Sequence, residues 1–194
     1  GNLESFINKD SELDPLIKMA LIHYQFEAIH PFIDGNGRTG RILMLLYLKL
    51  SGLLNVPGIY LSEFIMLNKN EYYRRLRAVT ENEDWIAWII FILEMVEWTA
   101  KKGIQRLKVI TELMDNFTER IRRELPQVYS HELLEILFKL PYTKINIFVE
   151  EGLGTRKTVS KYLQALEEKG FLISTKLGKE KLYLNKPLMD ILNS

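Results

Sequence analysis

The chain has no cysteine. That excludes disulfide scaffolding, thiolate metal ligation and cysteine nucleophiles, and it fits a reducing, cytoplasmic setting. A charge excess is also missing: 26 Lys and Arg stand against 25 Asp and Glu, a net charge of +1, so no global field draws the protein to nucleic acid or membrane. No apolar run reaches the ~18 residues of a membrane span. The longest candidates, residues 42–50 and 85–96, are interrupted by Tyr, Lys or Glu. No signal peptide, internal repeat or low-complexity tract is visible. The opening residues are not a natural start: Leu3, Phe6 and Ile7 are spaced for one helix face, which reads as the middle of an element in an N-terminally trimmed protein. What remains is a chain of 194 residues that is 47% hydrophobic, long enough for one large or two small domains with a real core.

Helical periodicity dominates as far as about residue 124. Asp14-Pro15 is a helix start, an oxygen-bearing N-cap followed by Pro at the first helical position. The helix it opens runs to about Ile29 with apolar residues on nearly every side, so it is expected to be central and buried. A second apolar helix ends near Ser51-Gly52, and Pro57-Gly58 breaks the chain again. Residues 61–66, 71–79 and 85–102 read as helices, the last with Trp85, Trp88, Ile89, Ile92, Met95, Val96 and Thr99 toward a core. Residues 101–125 are more charged, with Ile104, Leu107, Ile110, Leu113, Phe117 and Ile121 at three-to-four spacing, the pattern of a long amphipathic helix bridging two bodies and stopped by Pro126.

Residues 130–194 read as a second unit. Helices are expected over residues 131–140, 143–151 and 156–169, with a Gly152-Leu153-Gly154-Thr155 turn before the third and Gly170 closing it. Two short strands, 171–175 and 181–184, flank Leu177-Gly178-Lys179. Helix, helix, turn, helix, hairpin is the order of a winged helix-turn-helix. The fold class is therefore mainly α, with domains at 1–100, a connecting helix at 101–129 and a winged helix-turn-helix domain at 130–194.

The densest chemistry lies in the run from His30 to Arg41, His30-Pro31-Phe32-Ile33-Asp34-Gly35-Asn36-Gly37-Arg38-Thr39-Gly40-Arg41. Gly35-Asn36-Gly37 leads into a helix N-terminus, where free N–H groups and a glycine-permitted nest form an anion site. Arg38 and Arg41 stand at the start of that helix, where cations are disfavoured unless an anion is expected, and guanidinium suits phosphate oxygens. Asp34 is a hard oxygen ligand beside the anion site, suited to Mg²⁺. His30 is the group here that serves as a neutral base near pH 7. Together these residues suggest activation of a hydroxyl by His30 and in-line attack on a phosphorus. Gly35, Gly37 and Gly40 also satisfy G-x-G-x-x-G, but that fingerprint needs a preceding strand and a βαβ unit, and here a helix precedes it. A Walker-type phosphate loop is absent. His23 and His131 carry the bland readings, a core and a surface or capping histidine.

The stretch resembles the signature of the Fic family, H-P-F-x-[DE]-G-N-G-R-x-x-R, at every fixed position. The preceding His23-Tyr24-Gln25-Phe26-Glu27-Ala28-Ile29 is similar to that family too. So are Tyr60-Leu61-Ser62, Glu71-Tyr72-Tyr73, Arg77-Ala78-Val79 and Asp84-Trp85-Ile86-Ala87-Trp88. The resemblance implies a Fic-type helical bundle followed by a winged helix, and an enzyme that transfers AMP from ATP to a Ser, Thr or Tyr hydroxyl of a protein. It implies that His30 is the general base, that Asp34 binds Mg²⁺ and that Phe32 anchors the loop in the core. The ATP-binding set it implies is Gly35, Asn36, Gly37, Arg38, Thr39, Gly40, Arg41, Tyr72 and Tyr73. Within that set Asn36 would supply a side-chain donor, the arginines would hold the β- and γ-phosphates, and Tyr73 would line the adenine side. Two family parts are not matched. Nothing in residues 1–14 reads as the β-hairpin flap that aligns the target, and Arg77 and Ile147 stand where the inhibitory [ST]-x-x-x-E-[GN] helix needs Ser or Thr before Glu81-Asn82 or Glu151-Gly152.

The rival reading is a DNA-binding regulator whose first half senses a nucleotide. Arg156, Lys157 and Lys161 on the third helix of the second unit, with Lys176, Lys179 and Lys181 near the wing, favour it; the nearby Glu150, Glu151, Glu167 and Glu168 oppose it. Such domains also serve as protein-docking or dimer modules, so DNA, a protein and a second copy of the chain are the partners to weigh. A third reading keeps the enzyme and changes the transferred group to phosphate or another nucleotide, because the nucleotide's orientation decides which phosphorus faces His30.

Overall fold

The structure is a computed structural model. It describes residues 1–9, 12–55, 58–178 and 180–193, the side chain of residue 177 excepted. Pro57 and Lys179, expected to break the chain and to sit near the wing, lie outside the described residues. The chain divides into two compact units, Gly1–Gly103 and Ile104–Ser194.

In the first unit α1 (Asn2–Asn8) leads to α2 (Pro15–Ile29), α3 (Asn36–Leu50), α4 (Leu61–Leu67), α5 (Lys69–Asn82) and the start of α6 (Trp85–Glu124). α2 begins where Asp14 and Pro15 place it: the Asp14 side chain accepts from Leu16 N at 2.8 Å, with Pro in the first turn. Met19, Ala20, Ile22 and His23 on it are fully buried, which makes it the central helix of the unit. Lys18, also buried, satisfies its ammonium on Ile7 O at 3.1 Å and Lys9 O at 2.7 Å, so it holds the end of α1 against α2. Leu3, Phe6 and Ile7 pack on the same core.

Trp88 is the keystone of that core. It is fully buried, donates Nε1–H to Ala20 O at 2.9 Å, and lies between the rings of His23, Tyr24, Tyr72 and Phe91. Trp85, assigned to the same face, is 37% exposed and meets only the edge of Tyr24 at 4.8 Å.

The expected separate helices over 85–102 and 101–125 are one uninterrupted α6, because no Pro and only Gly103 interrupts residues 85–124, and one Gly costs about 1 kcal/mol in a long helix. The apolar stripe along its second half is buried only in part. Ile104 and Leu107 are exposed, at 56% and 65%, whereas Phe117 and Ile121 are buried. Three-to-four spacing marks a face, and only a neighbouring element buries it.

The second unit packs the end of α6 with α7 (His131–Lys139), α8 (Ile145–Glu150), α9 (Arg156–Glu168) and α10 (Lys186–Asn193), around Phe117, Phe148, Leu163 and Phe171. Ser130 and Thr155 cap α7 and α9 through their hydroxyls. The expected hairpin is β2 (Ile173–Leu177) with β3 (Glu180–Leu184), antiparallel, pairing Ser174 with Tyr183. The helix expected over 143–151 is shorter, and Tyr142–Thr143 form β1, which pairs antiparallel with β3 in the order β1-β3-β2. Two residues after Pro141 carry too little period-two pattern to mark a strand; pairing with β3 makes it one. The terminal helix α10 was not expected from the sequence either.

Trp88→Ala is expected to destabilise the first unit by about 3–5 kcal/mol, the range for deleting a fully buried large aromatic, and Trp85→Ala by clearly less. Urea unfolding of both variants checks this ordering, and equal losses would refute the keystone role.

Candidate active site

α2 ends on His30, whose backbone is left-handed (φ 48, ψ 57) while its N–H still bonds to Phe26 O at 3.1 Å. Glycine is the usual residue in that conformation, so an imidazole here runs against local preference, as functional positions often do. Nδ1 lies 3.3 Å from Glu27 O. A carbonyl only accepts, so Nδ1 carries the proton in this contact and Nε2 is left as the basic nitrogen.

The loop after His30 is stapled by Asn36, which is buried. Its carboxamide accepts from Phe32 N at 2.9 Å and donates to Phe32 O at 2.6 Å. The Asn36 carboxamide thus engages the loop's own backbone through its oxygen and one of its two N–H groups. One expectation is corrected: Phe32 is half exposed, its ring 6.3 Å from Phe26, not sunk in the core. Gly35 takes φ 86 at the N-cap of α3, a conformation that side chains rarely adopt. The Thr39 hydroxyl turns back to Gly35 O at 3.1 Å. Asp34 is exposed; one carboxylate oxygen accepts from Gly35 N at 2.6 Å and the other from Arg38 at 3.2 Å. An ion pair this exposed contributes little stability.

Gly40 is the point where α3 meets α2. A Cβ there would lie 2.5 Å from Glu27 Oε1 and 3.1 Å from the ring of His23, so Gly40 serves the helix contact rather than the cavity. Both His23 Nδ1 and Glu27 Oε1 are buried without a hydrogen-bond partner among the described residues. His23 Nε2 pairs with Tyr72 Oη at 3.0 Å. Burial foremost, aided by the charge of Arg41, pushes the His23 imidazole down to about 3. Burial raises Glu27 against the opposing pull of His30 and Arg41, and burial raises Tyr72 as well.

A cavity of about 350 Å³ gathers Glu27 and His30 from α2, Gly37 and Arg41 from α3, Ile65 and Met66 from α4, and Lys69, Tyr72, Tyr73 and Leu76 from α5. Arg41 Nε donates to Ser62 Oγ at 2.8 Å. A neighbouring cavity along α5 is larger, about 440 Å³, but contains neither His30 nor Arg41, so the chemistry of the lining and not volume marks the site. His30, Gly37, Arg41, Tyr72 and Tyr73 are thus brought together. Gly35, Asn36, Thr39 and Gly40 shape the loop and the helix behind it, and Asp34 and Arg38 form an exposed pair outside the cavity lining. Glu27 and Ser62 line or brace the site without having been singled out as site residues. A Glu three residues before His30 is one helical turn away, and that spacing was the available signal.

Residues 1–48 match the Fic/DOC family, and residues 113–188 match the C-terminal domain of SoFic-like protein adenylyltransferases. The start of the chain is thus similar to the Fic family, and its end to a domain found in SoFic-like members. A probable protein adenylyltransferase of Aquifex aeolicus is 32% identical over 133 residues, 66% of this chain and 37% of that protein. The protein adenylyltransferase Fic of Drosophila yakuba is 37% identical over 98 residues, 50% of this chain and 18% of that protein. The chain therefore spans well under half the length of these Fic relatives. A solved Fic family protein from Desulfovibrio desulfuricans G20 aligns over 94% of this chain and 53% of its own, with 21% identity and a TM-score of 0.49. Among the described residues no helix is long and apolar enough to cross a membrane, and no three acidic or histidine side chains gather as a metal cluster.

Two outcomes are expected from this geometry. Between pH 6.5 and about 3 the unfolded state binds a proton at His23 that the folded state refuses. Its contribution to stability is therefore complete above about pH 6.5 and lost as pH falls toward 3. Urea midpoints over that window should fall less steeply in His23→Gln than in the parent; identical slopes would exclude His23 as the source. Gly40→Ala should cost about 1–3 kcal/mol by overpacking at the α2–α3 contact, measured by thermal unfolding, and an unchanged melting temperature would contradict the contact.

Proposed function

We propose that the chain is the catalytic part of a protein adenylyltransferase that moves AMP from ATP to a Ser, Thr or Tyr hydroxyl of a target protein. The observation that carries this reading is the imidazole of His30, fixed by Glu27 O so that its basic nitrogen is Nε2, sharing one cavity with Gly37, Arg41 and Tyr73. In the reaction, Nε2 of His30 takes the proton of the target hydroxyl. The hydroxyl oxygen forms its bond to the α-phosphorus as the bond to the β-phosphate oxygen breaks, and pyrophosphate leaves. Arg41 holds the departing phosphates, with the N–H groups at the start of α3 as further donors. Tyr73, 53% exposed on the cavity wall, offers a ring for the base, while Tyr72 backs it from the core.

A single exposed carboxylate, Asp34, fits Mg²⁺, which takes one or two protein carboxylates and leaves its other positions to phosphate and water. The ion would supply charge neutralisation at the phosphates. Asp34 would hold it, releasing Arg38 from the pair it makes here. We read the second unit as a winged helix that docks protein rather than DNA, because two of its candidate DNA-facing cations are engaged within the unit, Lys181 with Glu167 and Arg156 with Asn146. A cytoplasmic location is consistent with the cysteine-free composition.

The test uses ATP labelled at the α- or γ-phosphate, Mg²⁺ and a cell extract. Label transferred from the α-position only, and lost in His30→Ala by at least the roughly 10²-fold typical of a general base, is the expected result. Transfer from the γ-position would establish a kinase-type activity instead, and no transfer from either would refute the reading.

A further inference from the structure

We propose that Ser62 is the positioning residue of Arg41. This rests on the reading of the cavity as a triphosphate site. Arg41 lies on α3 and Ser62 on α4, 21 residues apart, and the Arg41 Nε–H donates to Ser62 Oγ at 2.8 Å. A guanidinium carries five donors in a fixed planar fork. Anchoring the one at Nε fixes the plane and leaves the two terminal nitrogens to the ligand. One of them, Nη1, would lie 3.1 Å from a Cβ at Gly37, so the fork points along the start of α3, where the backbone donors also lie. Glu27 lines the same cavity, where burial raises its carboxyl and the charges of His30 and Arg41 oppose that rise; the direct hydrogen bond that orients the guanidinium is the one to Ser62. The half-buried hydroxyl of Ser62 has no such hold on a lysine, which has no Nε–H fork. The pairing therefore explains why an arginine and not merely a cation is needed at position 41.

The prediction concerns phosphate recognition, not stability. Ser62→Ala should weaken binding of ATP–Mg²⁺ and of inorganic tripolyphosphate roughly five- to tenfold, the scale of one hydrogen bond to a charged group. Adenosine binding and the melting temperature should be unchanged, and Ser62→Thr should restore binding. In an Arg41→Lys background the Ser62→Ala change should have no further effect. In the ligand-free protein the Arg41 Nε–H should give a protected NMR resonance that Ser62→Ala loses and Ser62→Thr keeps. The assignment is overturned by an unprotected Nε–H in the parent, by an equal loss of adenosine affinity, or by a full Ser62→Ala penalty in the Arg41→Lys background. A parent chain that binds ATP but transfers no AMP would refute the proposed reaction and leave the Ser62 assignment standing on its binding and NMR results.

Discussion

The close approach of α3 to α2 at Gly40 is the constraint on which the first unit depends. Glu27 Oε1 and the ring of His23, one helical turn apart on α2, both face the space that a side chain at position 40 would need. With no Cβ there, α3 comes near enough for a loop of only six residues, 30–35, to join the two helices. The buried imidazole of His23 then carries the contact inward, through Tyr72 and Trp88, to α5 and α6. The cost is visible as well. At this contact His23 Nδ1 and Glu27 Oε1 are buried without hydrogen-bond partners among the described residues, and buried polar groups in native structures are otherwise nearly always satisfied.

Everything in the cavity follows from that contact. The short loop leaves His30 in a left-handed turn at the end of α2 and puts Gly35 at the start of α3 with positive φ. Asn36 closes the loop on itself through Phe32, so the backbone that leads into α3 is held before any ligand arrives. Such preorganisation is what a site that stabilises developing charge requires, since donors already in place need no reorganisation during the reaction. The two arginines have separate circumstances. Arg41 lines the cavity and bonds to Ser62, and Arg38 is exposed and paired with Asp34.

Much of this was readable in the residues because the relevant interactions are local. Asp14-Pro15 starts a helix through its own side chain and ring, Gly152-Leu153-Gly154-Thr155 turns the chain before α9, and the glycines at 35 and 37 mark a loop entering a helix. The apolar pattern of α2 announced a largely buried helix, although Ile29 at its end is exposed. Short elements whose stability comes from a partner were not readable: β1 exists through β3, and residues 104 and 107 on α6 remain exposed despite a regular stripe. The exposure of Phe32 was not readable for the same reason, because burial depends on where the loop folds back.

The sequence by itself determined the helical class, the boundaries set by caps and breakers, and the inventory of chemistry between His30 and Arg41, since these depend on neighbours within a few positions. It took the folded chain to show that α5 supplies Tyr73 to the cavity wall and buries Tyr72, and that Ser62 meets Arg41. Those outcomes depend on contacts between residues as far apart as 23 and 72 or 41 and 62, and no spacing along the chain encodes them.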